Sequence, residues 1–147
     1  MTEPIIINEH NLIEQLRATF PEMEQRYQKE LQSLAGEPPG IYNIVGFVFK
    51  PYLVEELAKG EMNDFLHRAA DFMERVCTSG DIEAINVIWL KLFKLLLAQP
   101  QSLKLLWPFL GPATKANLED AARRWSLIGN LPVSGMFGAL GSSVRPR

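Results

Sequence analysis

The chain has 147 residues, of which 47% are hydrophobic and 22% charged, and its formal net charge is −2. That length and balance describe one folded domain with a core of its own and exclude a fibrous, low-complexity or disordered chain. The small net charge hides a sorting along the chain. Residues 1–83 hold 15 carboxylates against 7 Lys and Arg, a net of −8, and residues 84–147 hold 2 against 8, a net of +6.

The hydrophobic pattern is helical throughout. Asn8 is placed to cap a first helix in which Leu12, Ile13, Leu16 and Phe20 share a face. Pro21 suits the first turn of a second helix, with Met23, Tyr27, Leu31 and Leu34 as its stripe and Gly36 as its stop. Glu37-Pro38-Pro39-Gly40 is a rigid loop. The next segment, 41–60, admits two readings. Ile44, Val45, Phe47, Val48 and Phe49 are β-prone, so a strand over 44–50 is one of them. The apolar run continues through Leu53 to Leu57, too long for an ordinary strand, and favours a buried helix perturbed near Pro51.

Residues 61–77 carry the cleanest amphipathic signal. Met62, Phe65, Leu66, Ala69, Phe72, Met73 and Val76 lie on one side, and Asp64, His67, Arg68, Asp71, Glu74 and Arg75 on the other. Thr78-Ser79-Gly80 breaks the chain, and Asp81 caps the next helix. Residues 82–98 are apolar nearly all round, which predicts a helix at the centre of the domain. Pro100, Pro108 and Pro112 then divide the chain into a short helix over 101–107 and another from Pro112 to about Leu127, packed through Ala116, Leu118, Ala122 and Trp125. Trp89, Trp107 and Trp125 recur at intervals of 18, but the prolines between them forbid one continuous helix, so the interval is read as coincidence.

The expected fold is therefore all-α: a single-domain irregular bundle of about six to seven helices over 1–128, with HEAT-like antiparallel pairs as one arrangement. The last 19 residues, 129–147, hold four glycines, three serines and two prolines and predict an irregular tail. Leu131, Val133, Met136, Phe137 and Leu140 can dock it, leaving Arg145-Pro146-Arg147 as a mobile tip.

Catalytic signals are weak. Asp64, His67 and Asp71 cluster at i−3 and i+4 about the histidine, yet such clusters are the ordinary product of a solvated helix face. Cys77 lies near a helix C-terminus beside the apolar stripe, the place of a buried, inert thiol. The glycine-containing loops match neither a P-loop nor a nucleophile elbow. No catalytic, cofactor or metal-binding residue is expected. Lys91 and Lys94 form too narrow a polar strip for a membrane-surface helix. Lys104, Lys115, Arg123 and Arg124 fall short of the dense basic face of a nucleic-acid binder. The N-terminus has no basic region of a signal peptide, no stretch reaches the ~18 apolar residues of a membrane span, and one cysteine suits a reducing compartment. A cytoplasmic protein with neither a nucleic-acid nor a membrane partner is the expectation.

The acidic half offers a docking surface. Glu55, Glu56, Glu61, Asp64, Asp71, Glu74, Asp81 and Glu83 gather around two helices and their loops, where a basic protein partner would be steered and selected by complementary charge. The predicted contact face centres on seven of them: Glu55, Glu56, Glu61, Asp64, Asp71, Glu74 and Asp81. Opposite-sign halves also allow two copies to pair as a homodimer.

Several short stretches carry a family likeness: Phe20-Pro21-Glu22 with Tyr27 and Glu30-Leu31, Pro39 and Tyr42 ahead of Pro51-Tyr52-Leu53, Asp71-Phe72-Met73-Glu74 leading to Ser79-Gly80-Asp81, and Leu110-Gly111-Pro112 with Thr114-Lys115. Over roughly 8–126 the chain resembles a family of small bacterial all-helical domains that accompany polymorphic toxins and are regarded as immunity proteins. The resemblance implies a helical, non-catalytic inhibitor of a cognate toxin domain and supplies no active-site residue. A helical adaptor or scaffold with an endogenous partner is the other reading the sequence supports.

Overall fold

A computed structural model describes residues 5–132, which form seven helices and no β-strand. Helix α1 (Leu12–Thr19) buries Leu12 and Leu16, and Phe20 turns inward just after it. Its start departs from the sequence reading. Asn8 sits one turn earlier, where its Oδ1 accepts from the backbone N–H groups of His10 and Asn11, and Asn11 holds the N-cap position. Short amide side chains readily stabilise such local turns, so Asn8 shapes the approach to the helix rather than its first turn.

A 3₁₀ turn, Pro21–Met23, leads into α2 (Glu24–Ser33). The chain then reverses through Ala35 (φ 52°) and Gly36 (φ 90°), a left-handed pair of which only the glycine is free of steric cost. Helix α3 runs unbroken over 41–57: an α-turn Ile41–Ile44, a π-helical stretch Val45–Phe49, and α-helix Lys50–Leu57. The β-prone residues are thus helical. Pro51 has no N–H for the carbonyl four residues back, and its ring crowds that carbonyl. The widened turn just ahead of it absorbs both effects without ending the helix.

Helix α4 (Asp64–Cys77) starts under a side-chain cap, with Asn63 accepting from the Leu66 N–H, and buries the apolar stripe read from sequence. Helix α5 covers 82–98, with a second π-helical stretch at Trp89–Phe93. It buries Val87, Ile88, Leu92, Phe93, Leu96 and Leu97, but it is not enclosed on every side. Ile82 is 79% exposed and Leu90 39% exposed, because α5 packs on α3, α4 and α7 and leaves its remaining side open. Helix α6 (Pro100–Leu106) and a 3₁₀ turn, Trp107–Phe109, lead to α7 (Pro112–Arg124). The last helix stops short of Leu127, and Ser126 just beyond it has a left-handed φ of 58°. Its inward face is Thr114, Leu118, Ala121 and Ala122, which leaves Ala116 in solvent rather than in the packing.

Helix α4 is the hub, touching α1, α3, α5 and α7. Beside it Phe20, Phe49, Phe65 and Phe72 meet with ring centroids 4.9–6.4 Å apart, within the range where aromatic pairs attract. Burial of each such ring stabilises by about 1.5–3 kcal/mol. Past α7, Ile128–Asn130 makes a 3₁₀ turn and Leu131 is buried. The expected docking of Val133, Met136, Phe137 and Leu140, and the tip Arg145-Pro146-Arg147, lie outside the described residues. Among the described residues no helix is long and apolar enough to cross a membrane.

Candidate functional site

The seven carboxylates singled out in the acidic half divide by what they touch. On the last turns of α3, Glu55 accepts from Arg26 Nη2 at 2.7 Å, and this guanidinium holds the Glu55 carboxyl below its ordinary range. Glu56 is largely covered, bridged to Lys59 Nζ at 2.9 Å and to Asn63 Nδ2 at 2.8 Å. Asp64, at the start of α4, is 85% exposed and accepts from Arg68 Nε at 2.7 Å. Glu61 and Asp71 are exposed and make no ion pair among the described residues.

The other two are structural. Glu74 is half-buried and reaches from α4 to the first turn of α7. Its Oε2 accepts from the Ala113 N–H at 3.1 Å, and its Oε1 from the Thr114 N–H at 2.8 Å and the Thr114 hydroxyl at 2.7 Å. The helix N-terminus thereby obtains a cap and a countercharge from a different helix. Burial pushes the Glu74 carboxyl up, but the bonds from Thr114 and Ala113 outweigh it and hold the group below its ordinary range. Gly111 makes room for this contact: a Cβ there would stand 2.7 Å from Glu74 Cγ. Asp81 is likewise a cap, accepting from Ala84 N–H at 3.0 Å and from Glu9 N–H at 3.1 Å. Glu74 and Asp81 are thus already engaged by helix ends, unlike Glu61 and Asp71.

What remains is narrower and is centred on α4. Asp64, His67 and Asp71 are spaced to share its outer side, and all three are exposed. The 107–111 segment adds a residue that sequence reasoning passed over. Phe109 is 46% exposed, with its ring edge-on to His67 at 4.7 Å between centroids. The local signal was present, since a phenylalanine held in a tight Pro108-to-Pro112 connection cannot join a helix stripe. The Asp64–His67–Asp71 cluster is not a ligand set, because Asp64 turns to Arg68 and His67 to Phe109. No group of His, Cys, Asp and Glu suited to a metal occurs among the described residues.

The remaining candidates are placed as follows. Cys77 is buried, and burial pushes its thiol up to about 12. Lys104, Arg123 and Arg124 are exposed, whereas Lys115 is half-buried with Nζ 5.2 Å from the Trp107 ring. Arg124 also lies 5.5 Å over Trp89, and Lys94 5.5 Å over Trp125. Trp89 and Trp125 meet edge-to-face at 5.8 Å, and Trp89 Nε1 donates to Asn117 Oδ1 at 2.9 Å. Two of the three evenly spaced tryptophans therefore pin α5 to α7, while Trp107 takes no part in that contact. A shallow crevice lined by Leu16, Arg17, Tyr27 and Val48 is closed by side chains.

A family model matches residues 13–126, and the chain belongs to that family, described as a domain of unknown function, DUF7674. No curated protein and no solved structure matches the chain.

Proposed function

We propose that this chain is an immunity protein, a cytoplasmic, non-catalytic inhibitor that binds a cognate toxin domain and blocks it by occlusion. The observation that carries this reading is the outer face of α4 and the loop before it. Asp64 and Asp71 present exposed carboxylates on either side of His67, whose ring meets the half-exposed ring of Phe109, and Glu61 is exposed in the loop before the helix. An aromatic anchor within a charged rim is the usual anatomy of a protein–protein interface. Its sign suits a partner with a basic surface, such as an enzyme that acts on a polyanion, and steers the two together. The likeness to toxin-associated helical domains supports the same partner class.

The test is co-purification with a toxin domain, if one is encoded beside the gene, followed by binding kinetics of the triple variant Glu61→Lys, Asp64→Lys, Asp71→Lys. Association at low salt should slow by about tenfold or more and lose most of its salt dependence. Phe109→Ala should instead speed dissociation. Unchanged association and unchanged protection of toxin-bearing cells would remove the assigned face. Failure to protect with the wild-type chain, together with capture of a housekeeping protein, would replace immunity by an adaptor role.

A further inference from the structure

The segment ahead of α1, residues 5–11, is a strap tied to the end of α4 and the start of α5. One side chain anchors it: Ile7 is buried, whereas Ile5 and Ile6 are 56% and 70% exposed. Glu9 N–H donates to Asp81 Oδ2, the oxygen that also caps α5. Arg75, on the last turn of α4, donates from Nη2 to the Ile5 carbonyl at 3.1 Å and to Gln15 Oε1 at 2.9 Å. Both acceptors are neutral. Yet Asp71 stands one turn back along α4, exposed and in no ion pair among the described residues. A carboxylate four residues before an arginine has the spacing and order that favour a helix ion pair. Arg68, the cation on the other side of Asp71, is taken by Glu22, Asp64 and the Thr19 carbonyl. The strap and Gln15 therefore hold Arg75 away from Asp71.

We infer that this strap controls the α4 docking face. Seated, it holds Arg75 and leaves Asp71 open to a basic partner. Unseated, it withdraws the Ile5 carbonyl, and Arg75 turns to Asp71 and neutralises it. A hydrogen bond from a charged donor outweighs an exposed ion pair within a helix, so the seated strap wins the guanidinium. With the carbonyl gone, Nη2 regains a free hydrogen and Asp71 is the carboxylate in helix register with it. A strap pinned by one buried side chain opens more readily than the helices beneath it, so the switch lies within reach of ordinary local opening. The inference rests on reading the outer face of α4 as a docking surface, and it adds the element that regulates that surface.

Nuclear magnetic resonance of the full chain and its Ile7→Asn variant tests the switch. In the wild type the Arg75 side chain should show Overhauser contacts to Ile5 and Gln15. In the variant the Glu9 amide should exchange faster by about tenfold or more, and the Arg75 contacts should pass to Asp71. Circular dichroism and the melting temperature show whether the variant folds, and Ile7→Ala takes its place if it does not. A second arm measures binding of a hexa-arginine peptide at low salt. Asp71→Asn should weaken it about threefold in the wild-type chain and hardly at all beside Ile7→Asn, where Asp71 is already paired. Arg75 contacts that stay away from Asp71 once the strap opens overturn the inference. So does a Glu9 amide that stays protected in both Ile7 variants, or an Asp71→Asn loss of equal size in the two backgrounds. Peptide binding by the wild-type chain that ignores Asp71 removes that residue from the docking face, while the Overhauser contacts still decide the switch, so the two readings fail separately.

Discussion

Glu74→Ala is the sharpest test of how α4 and α7 are joined. The substitution takes the acceptor from three donors at once: the N–H groups of Ala113 and Thr114 and the Thr114 hydroxyl. Loss of a helix cap costs about 1 kcal/mol. Loss of the negative charge at a helix N-terminus adds about 0.3–1 kcal/mol. Thr114 is fully buried, and a stranded hydroxyl there adds about 1–2 kcal/mol. The sum is about 3 kcal/mol, a fall in melting temperature of about 6–12 °C for a domain of this size. The pH dependence has a definite sign. The folded-state pKa of Glu74 lies below its ordinary 4.5, so its stabilisation is complete above that value and lost as the pH falls through the folded value. Thermal melts of wild type and variant should therefore differ most near neutrality and converge in acid. Equal melting temperatures at neutral pH, or a gap that widens on acidification, would refute the capping role.

Other outcomes follow from the same geometry. Gly111→Ala should destabilise by about 1–3 kcal/mol through its clash with Glu74, and in a Glu74→Ala background most of that loss should vanish, as a double-mutant cycle by urea unfolding would reveal. Asp81→Ala should cost about 1 kcal/mol and speed amide exchange at Ala84 and Glu9, whose N–H groups it holds. Cys77, buried and with its thiol pushed up to about 12, should resist an aromatic disulfide reagent at mildly alkaline pH until the domain opens. Trp89→Phe should lose about 1 kcal/mol with its bond to Asn117 and change the fluorescence of Trp125.

The amphipathic stripe of α4 was legible because it repeats within two turns, and so was the Asp81 cap, because its acceptor and donor are three residues apart. The length of the apolar run favoured a helix for α3, but its β-prone residues left a strand over 44–50 open until the fold decided it. The π-helical turns at Val45–Phe49 and Trp89–Phe93 were not legible, since their residues suit an ordinary helix equally well. The exposure of Ile82 and Leu90 was misjudged for a related reason. Composition says how apolar a helix is, not how many neighbours will cover it.

The charges mark the boundary most clearly. Sequence placed Asp71 and Glu74 on the same polar side of one helix, and nothing local separates them. Asp71 remains on the surface, while Glu74 is consumed by the start of a helix 39 and 40 residues further along. Helix positions, breaks and local caps follow from interactions within about one turn of chain, so the order of residues suffices to find them. Which carboxylates stay available to a partner, and which tryptophans meet, depends on how α4, α5 and α7 come together. That packing is a property of distant segments meeting in space.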